Sequence, residues 1–322
     1  MRSDYDAAID AGTGYIRVAV RGRRGTVEEP SVVRLRPASL TPRAIGKRAL
    51  DAADDEEPTL LLRPLARGVV ADVETAGWLL RAALQNAFGR SSRPPRILAC
   101  APSDATAEET ESLRQALHRA EAGTVNVVPE PIAAAAGAGL DLSSHYAHLV
   151  VDVGEGVTDV AVIREGRIEV AGAVRTACAD LRHAISETVA QGHGLVLARS
   201  EVERVLEAIG VGDDRGRART VRVRGRRFGD LSATAARVSI ADLRAAQEEP
   251  LDRIVAAVRA VWRRLTPEAS CEVIENGLCL TGGGARLRGF ARRLERASGL
   301  DVHVTRAPSH AVIRGARRLA GL

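Results

Sequence analysis

The chain has 322 residues, enough for two domains that each bury their own core. Hydrophobic residues make up 45% and charged residues 27%, a globular balance, and no apolar run reaches the ~18 residues of a membrane-spanning helix. The net charge of +5 carries no nucleic-acid signature, because aromatics are only 2% of the chain and stacking platforms are almost absent. Lys47 is the only lysine, so the basic excess is arginine spread along the whole chain, which reads as compositional bias. Cys100, Cys178, Cys271 and Cys279 lack the CxxC spacing of zinc and redox motifs and are expected as free thiols of a reducing cytoplasm. The opening residues MRSDYDAAID carry neither a secretory pattern nor an amphipathic anchor.

In chain order, Ile9-Asp10-Ala11-Gly12-Thr13-Gly14 is a strand running into a glycine turn, and Val18-Ala19-Val20 is the return strand. Glu28 to Val33 is extended again, while residues 37–62, with prolines, a charge run from Asp51 to Glu57 and little periodicity, are expected as a small, partly mobile insertion. A helix is predicted over 74–88, a basic loop over 89–96 and a buried strand over 96–102. Thr106 and Glu109 have capping-box spacing at the start of the next helix. The strand 125–128 leads into PEPIAAAAGAG, where Pro131 sits at a helix start and four alanines permit close packing.

The stretch VVDVGEGVTDVAVIREG, 150–166, is a second glycine hairpin between β-branched runs. Alone it is either a plain β-hairpin or a phosphate cradle of backbone N–H groups beside a cation-holding carboxylate. Laid beside the first hairpin, however, it matches at a constant offset of 142 residues, 10 to 152 and 18 to 160, without a gap. A shared offset predicts a duplicated unit, with two Asp-bearing hairpins that close on one ligand. Helices follow near 180–191, 200–209 and 240–264, with a basic hairpin over 220–228 whose arginines read as a solvated strand face. Leu278 to Thr281 is a strand ending in Gly282-Gly283-Gly284, which feeds a helix predicted over 284–298 and stopped by Gly299.

The order of these elements is more specific than any one of them. The Asp10 hairpin, the Glu130-Pro131 alanine-rich helix, the Asp152 hairpin, a polar helix with Glu203 and the Gly282–Gly284 turn together resemble the actin, heat-shock chaperone and sugar kinase ATPase superfamily. The chain resembles most closely the bacterial actin homologues of the MreB/Mbl family, from about residue 5 to the C-terminus. Glu29-Pro30-Ser31-Val32-Val33, Gly68-Val69-Val70-Ala71-Asp72, Glu130-Pro131-Ile132-Ala133 and Leu280-Thr281-Gly282-Gly283-Gly284 all look like that family in its order.

The resemblance implies an α/β actin-like fold: two duplicated domains around a nucleotide cleft, 1–145 with a small insertion at about 30–68, and 146–322 with a small subdomain at about 182–245. The C-terminal helix is expected to return to the first domain. ATP and Mg²⁺ are the implied cofactors. Gly12, Thr13, Gly14, Gly154, Glu155 and Gly156 would bracket the phosphates, and Asp10 and Asp152 would hold Mg²⁺ through its waters. Glu130 would orient the attacking water, unless it serves only the helix dipole, with Thr158 beside the γ-phosphate. Gly282, Gly283, Gly284 and Glu203 would line the nucleoside pocket. The implied activity is slow Mg²⁺-dependent ATP hydrolysis coupled to head-to-tail filaments, which scaffold cell-wall synthesis and cell shape in the cytoplasm. Implied partners are further copies of the chain and cell-wall or shape proteins, with no specific nucleic acid.

Three departures stand out: Glu155 replaces a family glycine, Leu206 a family lysine, and Ala177-Cys178-Ala179 stands before Asp180 where the family has Gly-Gly. They support a second reading, a nucleotide-binding pseudo-ATPase that regulates a true MreB or a wall-synthesis complex. Peripheral contact with the inner face of an anionic membrane would fall to the loop Gly89 to Arg93, which is basic where the family is apolar.

Overall fold

The computed structural model describes residues 5–51, 59–89, 93–212 and 219–322. Two five-stranded mixed sheets dominate it. The first contains β1 (Ala7–Ala11), β2 (Tyr15–Val20), β3 (Val27–Pro30), β4 (Ile97–Ala101) and β5 (Val125–Pro129), in the order β5-β4-β1-β2-β3. The second contains β6 (His148–Val153), β7 (Thr158–Arg164), β8 (Arg167–Val174), β9 (Leu278–Thr281) and β10 (Val302–Val304), in the order β10-β9-β6-β7-β8.

These orders are one order used twice, with the same antiparallel and parallel neighbours. The duplication extends to single residue pairs: Ala7 faces Val20 and Leu149 faces Val162, Asp10 faces Arg17 and Asp152 faces Asp159. The constant 142-residue offset of the sequence is therefore a shared strand register.

Helices α1 (Val73–Phe88) and α2 (Ala107–Arg119) cover the outer face of the first sheet. Asp72 caps α1 by accepting from the Thr75 amide at 2.6 Å, and the Thr106–Glu109 capping box forms at the head of α2. Helix α3 (Glu130–Ala138) follows β5. In the second half, α4 (Cys178–His193), α5 (Arg199–Ile209), α6 (Ile240–Trp262), α7 (Pro267–Asn276) and α8 (Phe290–Ser298) surround the other core. Helix α9 (Ala311–Leu319) crosses back against α3, β1 and β2.

A third core joins the halves. Ala8 and Ala19 of one sheet and Val150 and Ala161 of the other pack on Ala133, Ala134, Ile313 and Ala316 of the α3–α9 pair. Successive strand residues point to opposite faces. Asp10 therefore shares the inward face of Ala8, and Asp152 that of Val150, each at the end of its strand where the apolar packing stops.

Two expectations are corrected. The insertion carries an antiparallel sheet of Val33–Leu35, Pro42–Ile45 and Leu60–Leu62 with a short helix, Lys47–Asp51. Strands of three or four residues are too short for an alternation to be legible. Residues 52–58 of the charge run and 90–92 of the basic loop lie outside the described residues. The predicted helix over 284–298 is broken: Gly283–Arg286 is a 3₁₀ turn, Leu287 is extended, and the α-helix starts only at Phe290. The break is tertiary in origin, since the Arg288 carbonyl accepts the Val211 amide at 2.9 Å and Gly289, at φ +89°, packs on the backbone of Gly212.

Candidate functional site

The two glycine turns meet between the sheets. In the first, the Gly12 amide bonds the Tyr15 carbonyl at 3.1 Å, and Ser31 Oγ donates to the Gly12 carbonyl at 2.6 Å. In the second, the Gly154 amide bonds the Val157 carbonyl at 3.0 Å. The turns touch: a Cβ on Gly14 would lie 3.3 Å from Glu155 Cβ, and one on Gly156 would lie 2.8 Å from Thr13 Oγ1 and 2.9 Å from Arg67 Cα. The segment through Arg67 and Gly68 closes one side, with the Gly68 amide donating to Thr13 Oγ1 at 2.8 Å.

Four carboxylates converge on the floor of this cleft: Asp10, Glu130, Asp152 and Asp159, each no more than 7% exposed. Burial raises the pKa of Asp10, an effect that Arg17 opposes. Asp152 is pushed up to about 7 by burial, although Thr281 Oγ1 donates to it at 2.6 Å. Glu130, the first residue of α3, is held well above the usual carboxylate range by burial and then by the neighbouring charges of Asp159, Asp10 and Asp152. Asp159 is pushed up to about 6, chiefly by burial. Its Oδ1 accepts the Ser103 amide at 2.7 Å, while its buried Oδ2 has no hydrogen-bond partner among the described residues. The Cys100 thiol lies in the same field, raised by burial and by Asp10, Glu130 and Asp152.

Such a cluster favours a cation. Its donors are oxygens, which suit a hard ion such as Mg²⁺. Among the described residues no group of three or more His, Cys, Asp or Glu forms a ready-made metal cage.

The other predicted residues divide. Thr158 is fully buried and its hydroxyl donates to the Thr176 carbonyl at 2.8 Å. Glu155 pairs with Arg182 and, at 2.8 Å, with Arg199, which together hold its carboxyl below the usual range despite burial. Glu203 pairs with the same Arg199 at 2.8 Å and is half-buried. Gly282, at φ +84°, and Gly284 are required by packing, since a Cβ would lie 2.3 Å from the Val153 carbonyl oxygen or 2.4 Å from Val153 Cγ1. Gly283 is exposed, and a Cβ there would meet nothing within 4 Å among the described residues. Asp180 caps α4 through the Ala177 amide at 2.8 Å.

Sequence reasoning missed Asp159, Arg17 and Arg175. The register alone could have found the first two, because each lies opposite a cleft aspartate. Arg175 is a long-range contact. From the end of β8 it reaches Asp104 at 2.8 and 3.2 Å, Glu109 at 3.2 Å and the Arg67 carbonyl, while Arg67 Nη1 donates back to the Arg175 carbonyl at 2.8 Å.

Residues 4–321 match the family model described as MreB/Mbl protein. The cell shape-determining protein MreB of Escherichia coli (strain K12) is 33% identical over 319 residues, covering 96% of this chain and 91% of that protein. The cell shape-determining protein Mbl of Bacillus subtilis (strain 168) is 29% identical over 313 residues, covering 96% and 94%. Among solved structures, MreB5 of Spiroplasma citri bound to ADP is similar with a TM-score of 0.87 at 25% identity, over 97% of this chain and 95% of that one. The fold is also that of a MamK double helical filament subunit, with a TM-score of 0.81 at 22% identity over 98% of both chains. No helix among the described residues is long and apolar enough to cross a membrane.

Proposed function

The chain belongs to the MreB/Mbl family of bacterial actin homologues, and on that premise we propose that it binds ATP in the cleft and forms filaments that determine cell shape. One observation carries the proposal: two hairpins of identical register bring their glycine turns together above four buried carboxylates. The relatives' names support the cell-shape role, the ADP- and AMPPNP-bound MreB5 structures support the nucleotide, and the MamK filament supports self-assembly.

We assign the chemistry as follows. The backbone amides of residues 13–14 and 155–156 receive phosphate oxygens, while those of Gly12 and Gly154 close the two turns, and glycine keeps side chains out of the way. Asp152 borders the position of the cation, which when bound would neutralise phosphate charge, while Asp10 beside it is paired with Arg17. Glu130, at the head of α3, orients a water toward the terminal phosphate, and Asp159 Oδ2 offers that water a second acceptor. Thr158 fixes the second hairpin through its bond to Thr176. Glu155 does not repel phosphate as a bare carboxylate would, because Arg182 and Arg199 already neutralise it. Closure of the two domains over the ligand favours head-to-tail contact, and copies related by a translational repeat build filaments rather than rings. Contact with cell-wall synthesis proteins, and with an anionic membrane through the basic loop after α1, belongs to the same proposal.

The test is ATP binding and single-turnover hydrolysis by the full chain with Mg²⁺, followed by pelleting with and without anionic vesicles. Wild type should bind, cut and pellet. Glu130→Ala should bind and cut on the order of 10²-fold more slowly. Binding without turnover in wild type would favour the regulatory pseudo-ATPase, and absence of binding would defeat the assignment of the cleft.

A further inference from the structure

The duplicated register makes an internal comparison possible, because each cleft aspartate has a cross-strand partner at the same step of its hairpin. For Asp152 that partner is another carboxylate, Asp159. The nearest polar contact of Asp152 is neutral, the Thr281 hydroxyl at 2.6 Å. For Asp10 the partner is Arg17, whose Nη1 lies 3.3 Å from Asp10 Oδ2. The two aspartates thus share backbone geometry and differ in charge environment.

Arg17 is held where it is. Its Nε donates to Glu28 Oε2 at 3.0 Å, and that same oxygen lies 3.0 Å from His310 Nε2 on the turn before α9. Its guanidinium also stands 5.5 Å from the Tyr15 ring centroid. Only 13% of the side chain is exposed. A guanidinium fixed by two carboxylates and a ring does not swing aside when a cation arrives, and a divalent ion beside it would meet like charge at short range.

We infer that Arg17 takes Asp10 out of the metal-binding set, so that Mg²⁺ on the bound nucleotide is held from the C-terminal half by Asp152, while Arg17 supplies the positive charge on the N-terminal side. Both halves keep an aspartate at the end of the hairpin strand, but among the described residues only Asp10 is held in an ion pair, while the close partner of Asp152 is a neutral hydroxyl. The inference rests on the nucleotide-binding reading of the cleft and specifies which carboxylate does the metal work.

The experiment reads linkage rather than turnover. A fluorescent ATP analogue is titrated into the full chain in EDTA and in saturating Mg²⁺, and the ratio of the two Kd values is the metal–nucleotide coupling factor. Asp152→Asn should bring that factor close to one. Asp10→Asn should leave it within about threefold of wild type, since its charge is already spent on Arg17, and Arg17→Met should raise it by about tenfold as Asp10 becomes free. Asp10→Asn combined with Arg17→Met should return toward wild type. If Asp10→Asn and Asp152→Asn abolish coupling equally, or if Arg17→Met binds nucleotide in EDTA with its factor unchanged, the inference is wrong while nucleotide binding stands. If Arg17→Met does not fold, the contrast between the two near-isosteric Asp→Asn variants still decides. Absence of binding by wild type in both conditions would instead remove the proposed function, and the inference with it.

Discussion

The crossing of α3 and α9 is the tightest joint between the halves, and adding one methyl group to it should be severely destabilising. A Cβ on Gly137 would stand 1.7 Å from the Ala311 carbonyl oxygen and 2.9 Å from the Gly315 amide nitrogen; one on Gly315 would stand 1.7 Å from the Ala133 carbonyl oxygen. Carbon and oxygen normally approach to about 3.4 Å, so the helices must part by more than 1 Å. The obstacle is backbone, which no rotamer change can move aside. A gap of that size forfeits about 40% of each contact, and over on the order of 60 atom pairs worth about 0.15 kcal/mol apiece the loss is about 3–4 kcal/mol. Urea unfolding of Gly137→Ala and Gly315→Ala should show midpoints lowered accordingly at unchanged slope. Gly192→Ala, in α4 with nothing within 4 Å of its Cβ position, is the control and should stabilise by about 0.5 kcal/mol through helix propensity alone. Unfolding free energies for both crossing variants within ~1 kcal/mol of wild type would refute the reasoning.

Three further predictions concern the cleft. Because Asp152 and Asp159 sit near 7 and 6 when folded, the native state binds more protons than the unfolded chain between their ordinary carboxylate values and those figures. The associated stability is fully present below about pH 4 and is lost as pH rises through 6 to 7. The thermal midpoint of metal-free protein should accordingly fall between about pH 5.5 and pH 8, less so in Asp152→Asn; a curve of equal slope in that variant would exclude Asp152 as a source. Glu155→Ala leaves Arg182 and Arg199 without their shared carboxylate, so stability should drop by about 2 kcal/mol while ATP binds more tightly, and weaker binding in a fluorescence titration would count against the neutralisation described above. Arg175→Met removes the bonds to Asp104, Glu109 and the Arg67 carbonyl. It should cost about 2 kcal/mol and speed proteolysis between the halves, and an unchanged digestion pattern would show that the halves do not rely on this arginine.

Much of the architecture was legible because it rests on local rules. The hairpins announce themselves through β-branched runs and glycine turns, and their equivalence follows from one offset, since antiparallel pairing around a turn fixes register within a few residues. The Thr106–Glu109 capping box and the alanines of α3 are likewise local, and Asp10 and Asp152 stand out at matching steps of the two hairpins, whereas Glu130 was named from the family resemblance.

Only the tertiary structure decided how those residues are charged and constrained. It set Arg17 against Asp10 and Asp159 against Asp152, gave Glu155 two arginines from α4 and the head of α5, and broke the helix at 287–289 against the backbone of 210–212. It also showed that Gly282 and Gly284 are glycines because Val153 lies against them, whereas Gly283 is open. The physical reason is common to all of these. Hydrogen-bonded turns and side-chain periodicity act over a few residues, but pKa shifts, ion pairs and close backbone approaches depend on segments a hundred or more residues apart, whose meeting no local pattern encodes.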